Sequence, residues 1–562
     1  MLLAASLADA AHPVRRHLQE SPSIRVWVPS PTLKVRPTDP PTGPGEVVEK
    51  GGRGETVAFQ VVLTAKIQVA GVDVAMSPLA GPGGATIPAS AAQLYRVGFI
   101  NVTTPSDPAG TTGEWPDPLY PIGPDRYYHE VRNGAPFTLA PGRNQPIWVS
   151  LDIPRDATPG VYTGALAFTS QQSTLATVPI ALTVWRFTLP TTPAARTTYG
   201  FDTYETYLTH YCPGQGCWDE AQIEALTLAY WQEALAHRIA LDGTVGDVNY
   251  TYDAGTKSIT SIDWSYYDPL YSLPGVTTFP VPGPSFDWND SSHTWTQAET
   301  DEAVAFWRAA SQHLTAEGWH DRAFLYTQDE PGGQWPLNVV QSNALFAADP
   351  SLRALVTSEY TPRLATGHIG IWCPIVNSLD ENGGFDAQYA AQRAAGKQVW
   401  WYDSDSSGDS DNQMYTDFGI WPDEFIDHQG PNQRVHGWMH WHYRMDGYLY
   451  YAITQCYGDN ANLWTSNYCF DRNGDGTLFY PGTPQVIGGV HHIPVPSLRL
   501  ELLRMSWNDY DYMALLAQAG QSAFVDAVVN GLVTNSYTWS HDPAAYDAAR
   551  EQLGAMLDQL QP

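Results

Sequence analysis

Two adjacent carboxyl groups, Asp329 and Glu330, end the apolar run AFLYTQDEPGG, which breaks at once at Pro331, Gly332 and Gly333. An apolar run that stops at turn formers reads as a buried strand delivering its last side chains to a loop. Within a strand–helix series, such a carboxy-terminal strand end is where a barrel enzyme keeps its reacting groups. Paired acids at that rim suit cleavage of a glycosidic bond, where one carboxyl protonates the leaving oxygen. Neighbouring strand side chains diverge, so the two acids are expected to serve different atoms rather than straddle one bond. A conventional retaining pair stays open, with Glu330 as acid and Glu359, Asp403 or Asp405 as nucleophile, because these fall at or just beyond later strand ends.

Flat aromatic faces near the same rim would stack on a sugar. Tyr326, Trp372, Trp401, Tyr402, Tyr451 and Trp464 are the candidates. Alternation forbids Trp400 and Trp401 from both facing a pocket, and Trp401 is the one expected there. Asp471, Asn473 and Asp475 in DRNGDG alternate like the start of a calcium loop, but the twelfth position is Gly482 where an EF-hand needs glutamate. A solvated turn is the plainer reading of that stretch. No metal or other cofactor is expected.

The elements that must position these groups come in two kinds. From residue 23 to 189 short alternating segments such as ETVAFQVVLTA, QPIWVSLDIP and TVPIALTVWRF are separated by Pro, Gly and Asp, which predicts an antiparallel β-sandwich. Residues 1–22 are expected to be poorly ordered. The Pro/Thr-rich stretch 190–198 reads as a linker. Over 199–490 strands alternate with helices: TYGFD, IALDG, a weak SITSIDW, AFLYTQDE, LRALVTSEY, HIGIWCPIV, QVWWYDSD and GYLYYAITQC. Eight such strands are the signature of a (β/α)8 TIM barrel, and residues 491–562 predict C-terminal helices packed on it.

A net charge of -30 with 29 Lys plus Arg argues against a nucleic-acid or anionic-membrane surface, which needs a basic patch. No apolar run reaches the length of a membrane span. The 21 Trp and 31 Tyr fit an oligo- or polysaccharide partner, although most of them must serve core packing. None of the five cysteines has zinc-site spacing; Cys212 with Cys217 and Cys456 with Cys469 enclose polar loops that two disulfides would close, leaving Cys373 buried. With the opening MLLAASLADAA, similar to a signal-peptide remnant, this predicts a secreted protein, extracellular or periplasmic.

Several phrases in one order, among them GETVAFQVVL, GEWPDPLYP, YTQDEP, KQVWWYD, DGYLYYA, NGDGTLFYPG and PSLRLELLRMSWNDYDYMALL, resemble proteins with a glycoside hydrolase family 123-like catalytic domain. The resemblance spans nearly the whole chain. Characterised relatives are β-N-acetylgalactosaminidases, so it implies retaining, substrate-assisted hydrolysis: Asp329 orients a 2-acetamido group and Glu330 is the general acid/base. The sequence departs from that pattern at Tyr451, where many relatives carry Trp, and in a polar insertion over about 243–300.

Overall fold

Burial alternates along the early strands because only one face of each reaches the core. Val69–Met76 buries Val72, Val74 and Met76 and exposes the residues between them. The computed structural model describes residues 18–212, 219–243, 248–380, 384–404, 421–458 and 462–560. Its N-terminal half is two facing sheets. One has the order Val131–Asn133, Gly113–Pro124, Ala92–Val102, Asn144–Asp152, Thr56–Ala65 and Ile24–Trp27; the other is built around the long hairpin of Gly160–Ser170 and Ser173–Thr188. All pairs are antiparallel except Val47–Arg53 with Ser173–Thr188. Phe59, Val61, Leu63 and Val149 from one sheet meet Phe168 and Leu182 from the other. Each such burial contributes about 1.5–3 kcal/mol relative to exposure. Order begins earlier than the sequence suggests, since Gln19–Glu20 pairs with Ala176 and Thr177.

The second half is a nearly closed parallel barrel. Its strands are β1 (Thr197–Phe201), β2 (Leu241–Gly243), β3 (Phe279–Pro280), β4 (Ala323–Tyr326), β5 (Arg353–Val356), β6 (Ile369–Trp372), β7 (Gln398–Asp403) and β8 (Gly447–Tyr450). They lie in the order β2-β1-β8-β7-β6-β5-β4-β3, and β2 also approaches β3. The first strand therefore starts inside the expected linker. The expected third strand is displaced: Ser258–Ile262 forms a separate hairpin with Tyr250–Asp253, while the two-residue β3 takes its place beside β4.

Local signals explain the barrel helices. Helix α1 (Glu220–Ala236) starts at Asp219, whose carboxylate accepts from Gln222 N, and α2 (Gln297–Ala316) starts with a capping box of Thr296 and Glu299. Helix α3 (Pro336–Ala348) has proline in its first turn, where the missing N–H costs nothing. Helices α4 (Phe385–Ala394) and α5 (His436–His442) follow β6 and β7.

Helix α6 (Leu498–Gln518) packs on α5 and, through Leu498, Leu502 and Met505, on Trp148, Tyr95 and Leu119 of the sandwich. It is buried nearly all round although it carries Arg499, Glu501, Arg504 and Asp509. Helix α7 (Pro543–Leu560) packs on α6 and on two sandwich strands. The C-terminal helices thus fill a seam between the two halves as well as touching the barrel. Cys456 and Cys469 form a disulfide; Cys212 is disulfide-bonded, and Cys217 lies outside the described residues. Cys373 is free and buried in the barrel interior, as expected.

Candidate active site

Strand β4 stops at Tyr326, so Asp329 and Glu330 are loop residues and strand alternation does not separate them. The loop is pinned from three sides. Thr327 Oγ1 donates to Leu355 O (2.7 Å), and Asn338 Nδ2 of α3 donates to Thr327 Oγ1 (2.9 Å) and Gln328 O (2.7 Å). Gln341 Oε1 accepts from Gln328 N (3.0 Å), while its Nε2 donates to Trp288 O (3.0 Å) in the insertion. Glu330 sits at φ 37° directly before Pro331. A left-handed non-glycine residue costs of order 1–3 kcal/mol, and it persists where the surroundings over-determine it.

Hydrogen bonding gives the two carboxyls different characters. Asp329 Oδ1 accepts from Tyr326 Oη (2.8 Å) and from Thr357 Oγ1 (2.6 Å). Thr357 Oγ1 in turn accepts from Glu330 N (2.9 Å), so one hydroxyl beyond β5 sets the spacing of the pair. Glu330 Oε1 accepts from Tyr402 Oη at the end of β7 (2.6 Å). Burial and the Asp329 carboxylate push the Tyr326 phenol up; burial and the Glu330 contact do the same to Tyr402, so both stay protonated donors. Both acids are exposed, and among the described residues Asp329 Oδ2 and Glu330 Oε2 have no hydrogen bond, which leaves one oxygen of each for a ligand.

The other candidates divide sharply. Tyr326 and Tyr402 join the pair, inside a barrel-interior cluster with Phe324, Leu355, Ile371, Cys373, Trp400 and Leu449. Trp400 therefore faces the barrel interior. Trp401 is fully buried on the opposite face, its Nε1 donating to His440 Nδ1 of α5 (3.2 Å), which corrects the expectation. Trp372 is buried toward α4, where its Nε1 donates to Gln392 Oε1 (3.2 Å), and Trp464 is buried against Tyr120 and Tyr480. Neither offers a face to a sugar. Tyr451 is half-buried and donates to Asp475 Oδ2 (2.7 Å).

Asp403 is not a nucleophile for this site. It lies on the Trp401 face of β7, buried, accepting from Tyr448 Oη and 3.4 Å from His436 Nε2. Glu359 is half-buried, and its charge is felt by Tyr389 of α4; Asp405 lies outside the described residues. The calcium reading of DRNGDG also fails, because its donors point to different partners. Asp475 accepts from Tyr450 and Tyr451, Asn473 bonds Thr104 O and Ser106 Oγ of the sandwich, and Asp471 is exposed beside Tyr468.

Thr357, Asn338, Gln341 and Asp242 were missed from sequence. Asp242 is the middle residue of β2, next to the buried Leu241 and 3.3 Å from Thr198 Oγ1, and burial raises its carboxyl to about 7. An acid closing the apolar run IAL just before a glycine is the same signal that marked Asp329, and it was available in the sequence.

Comparison with known proteins bears on the family and the fold. Residues 34–170 match the glycoside hydrolase 123 N-terminal domain, and residues 285–516 match the glycoside hydrolase 123 catalytic domain. No curated protein matches the chain. A solved family 123 glycoside hydrolase from Clostridium perfringens is similar over 96% of this chain and 99% of its own, with TM-score 0.69 and 13% identity, which speaks for the fold. A β-D-glucuronidase from Dictyoglomus thermophilum is far more distant, at TM-score 0.29 and 8% identity over 81% of this chain and 67% of its own. The second match contains the pair, its loop, Thr357 and Tyr402, and the chain belongs to glycoside hydrolase family 123 and is a glycosidase.

Proposed function

We propose that the chain hydrolyses a β-linked N-acetylhexosamine, in particular N-acetylgalactosamine, by retaining, substrate-assisted catalysis. The observation that carries this reading is the unequal tethering of the pair. Two hydroxyl donors on Asp329 Oδ1 fix its carboxylate plane and leave Oδ2 as an acceptor for an acetamide N–H. The acetamide oxygen then attacks the anomeric carbon, and Asp329 stabilises the positive charge of the resulting oxazolinium. Glu330, oriented through Oε1 by Tyr402, carries its proton on Oε2 and gives it to the leaving oxygen; it later takes one from the water that opens the oxazolinium. The burial of Asp403 adds support, since it removes one of the protein carboxylates that a conventional nucleophile would require.

The C. perfringens neighbour is described as hydrolysing glycolipid glycans, which makes such a glycan a substrate to try here. The disulfide between Cys456 and Cys469 fits export to an oxidising compartment. Among the described residues no helix is long and apolar enough to cross a membrane.

The test is hydrolysis of aryl β-glycosides matched with and without the 2-acetamido group, by wild type, Asp329→Asn and Glu330→Gln. Activity confined to acetamido sugars and lost in both variants is expected. Turnover of non-acetylated sugars that survives Asp329→Asn would overturn the proposal in favour of a protein nucleophile, for which Glu359 and Asp242 would be the first residues to replace.

A further inference from the structure

Behind Tyr402, on the other face of β7, three buried side chains converge. Asp403 Oδ2 lies 3.4 Å and Glu424 Oε1 lies 3.2 Å from His436 Nε2, and the three atoms fall within 4.8 Å of one another. His436 Nδ1 is 3.0 Å from Gln433 O. A carbonyl can only accept, so Nδ1 carries a hydrogen and Nε2 is the nitrogen turned toward the two carboxylates. A metal-ligating histidine holds its second nitrogen in this way, donating to a backbone carbonyl. Asp403 is oriented likewise, since its second oxygen accepts from Tyr448 Oη.

Glu424 supplies the independent observation. It is completely buried, and among the described residues neither oxygen accepts a hydrogen bond, Oε1 lying beside the His436 ring. Buried carboxylates are paired or coordinate a cation, because desolvation without compensation is severe. The cations whose fields reach it are committed elsewhere: Arg499 bonds Asp117 and three backbone carbonyls, and Lys34 bonds Phe425 O and Ile426 O.

We propose that Asp403, Glu424 and His436 bind a divalent first-row transition-metal ion of the zinc type, one per chain. Ligand bonds of about 2.0–2.1 Å at tetrahedral angles place donor atoms about 3.3–3.4 Å apart, close to the spacings around His436 Nε2. One imidazole and two carboxylates suit zinc or manganese better than calcium, which takes six to eight oxygens. The ion would tie the end of β7 to the segment entering α5, and with it the backbone next to Tyr402. A neighbouring trio shows the contrasting arrangement. His428 Nδ1 is 2.6 Å from Asp423 and Nε2 is 3.0 Å from Asp107, so both its nitrogens donate and its imidazolium is itself the cation.

The test uses the full chain, stripped with a strong chelator and titrated with Zn2+, Mn2+, Co2+ or Ca2+, with metal content read by mass spectrometry after dialysis. Expected are uptake of about one zinc per chain, visible d–d bands of a four-coordinate site with cobalt, little calcium, and a higher Tm on loading. His436→Gln and Asp403→Asn should lose the uptake. Because buried variants can misfold, wild type decides by itself: failure of the stripped, folded chain to take up zinc, manganese or cobalt overturns the proposal, as does unchanged uptake in a folded His436→Gln chain. Uptake does not depend on which glycan is cleaved, so this outcome is separate from the substrate-assisted reading.

Discussion

Asp117 and Asp329 are the same side chain put to opposite uses. Asp117 is buried in the seam, where Arg499 Nε and Nη2 reach its two oxygens at 2.9 and 3.0 Å and Tyr480 Oη adds a bond of 2.6 Å. Asp329 is exposed on a strained loop, with donors on one oxygen only. The seam repeats the first pattern: Glu501 pairs with Arg504, Asp509 with Arg434 and Arg550, and Glu55 with Arg550. Ion-paired, dry carboxylates join the sandwich to the barrel, whereas the exposed pair at Asp329 and Glu330 keeps one oxygen of each open to a ligand. The left-handed backbone at Glu330 belongs to the second class, because strain gathers where a side chain must be aimed.

The largest effects should separate the two regions cleanly. Glu330→Gln is expected to lower kcat by about 100- to 10,000-fold with unfolding free energy changed by less than about 0.5 kcal/mol, since an exposed acid is removed. Arg499→Met should do the reverse, costing about 3–5 kcal/mol by leaving Asp117 buried and unpaired. Denaturant melts and steady-state rates on both variants check this, and a large stability loss in Glu330→Gln would break the comparison. Tyr402→Phe should sharpen it: losing one hydroxyl from Glu330 Oε1 is expected to lower kcat roughly tenfold with little change in KM.

Much of this division was legible in the sequence. The apolar lead-in and the breakers after Glu330 marked the rim loop. Alternation also said that Trp400 and Trp401 must face apart. Which one faces inward depends on the register of β7 in the barrel, fixed by its pairing with β8 at Trp400 to Gly447, and no local pattern carries that. Phe279–Pro280 escaped notice because two residues in a proline-rich stretch have no period to read. Thr357 was hidden because a threonine after a strand is common, and its role exists only once β5 lies beside β4.

Titration gives a subtler contrast. Burial alone would raise the Glu501 carboxyl, but Arg504, His237 and Ser150 hold it down to about 2. Its stabilisation is present above the ordinary glutamate range and is lost as pH falls toward 2. Asp242 runs the other way. Burial raises it to about 7 against hydrogen bonds from Thr198 and Phe201 N, so its contribution is present below pH 4 and is lost as pH climbs to 7. Asp242→Asn should therefore match wild type in Tm near pH 4 and exceed it near pH 8. Equal Tm values at both pH values would remove Asp242 from the set of strained barrel acids.

The smallest effect expected is at Asp471. It is exposed, sits in a turn, and among the described residues its carboxylate shares a single long contact of 3.4 Å with Tyr468, whereas Asp475 four residues on is held by two tyrosines. Asp471→Ala should change stability by less than about 0.5 kcal/mol, and calcium should leave the Tm of both forms unchanged. Asp475→Ala should cost several times more, because it frees two tyrosine hydroxyls at the end of β8. A calcium-dependent rise in Tm abolished by Asp471→Ala would show that an acid in this loop is half-satisfied in order to bind something, and would place the loop with Asp329 rather than with Asp117.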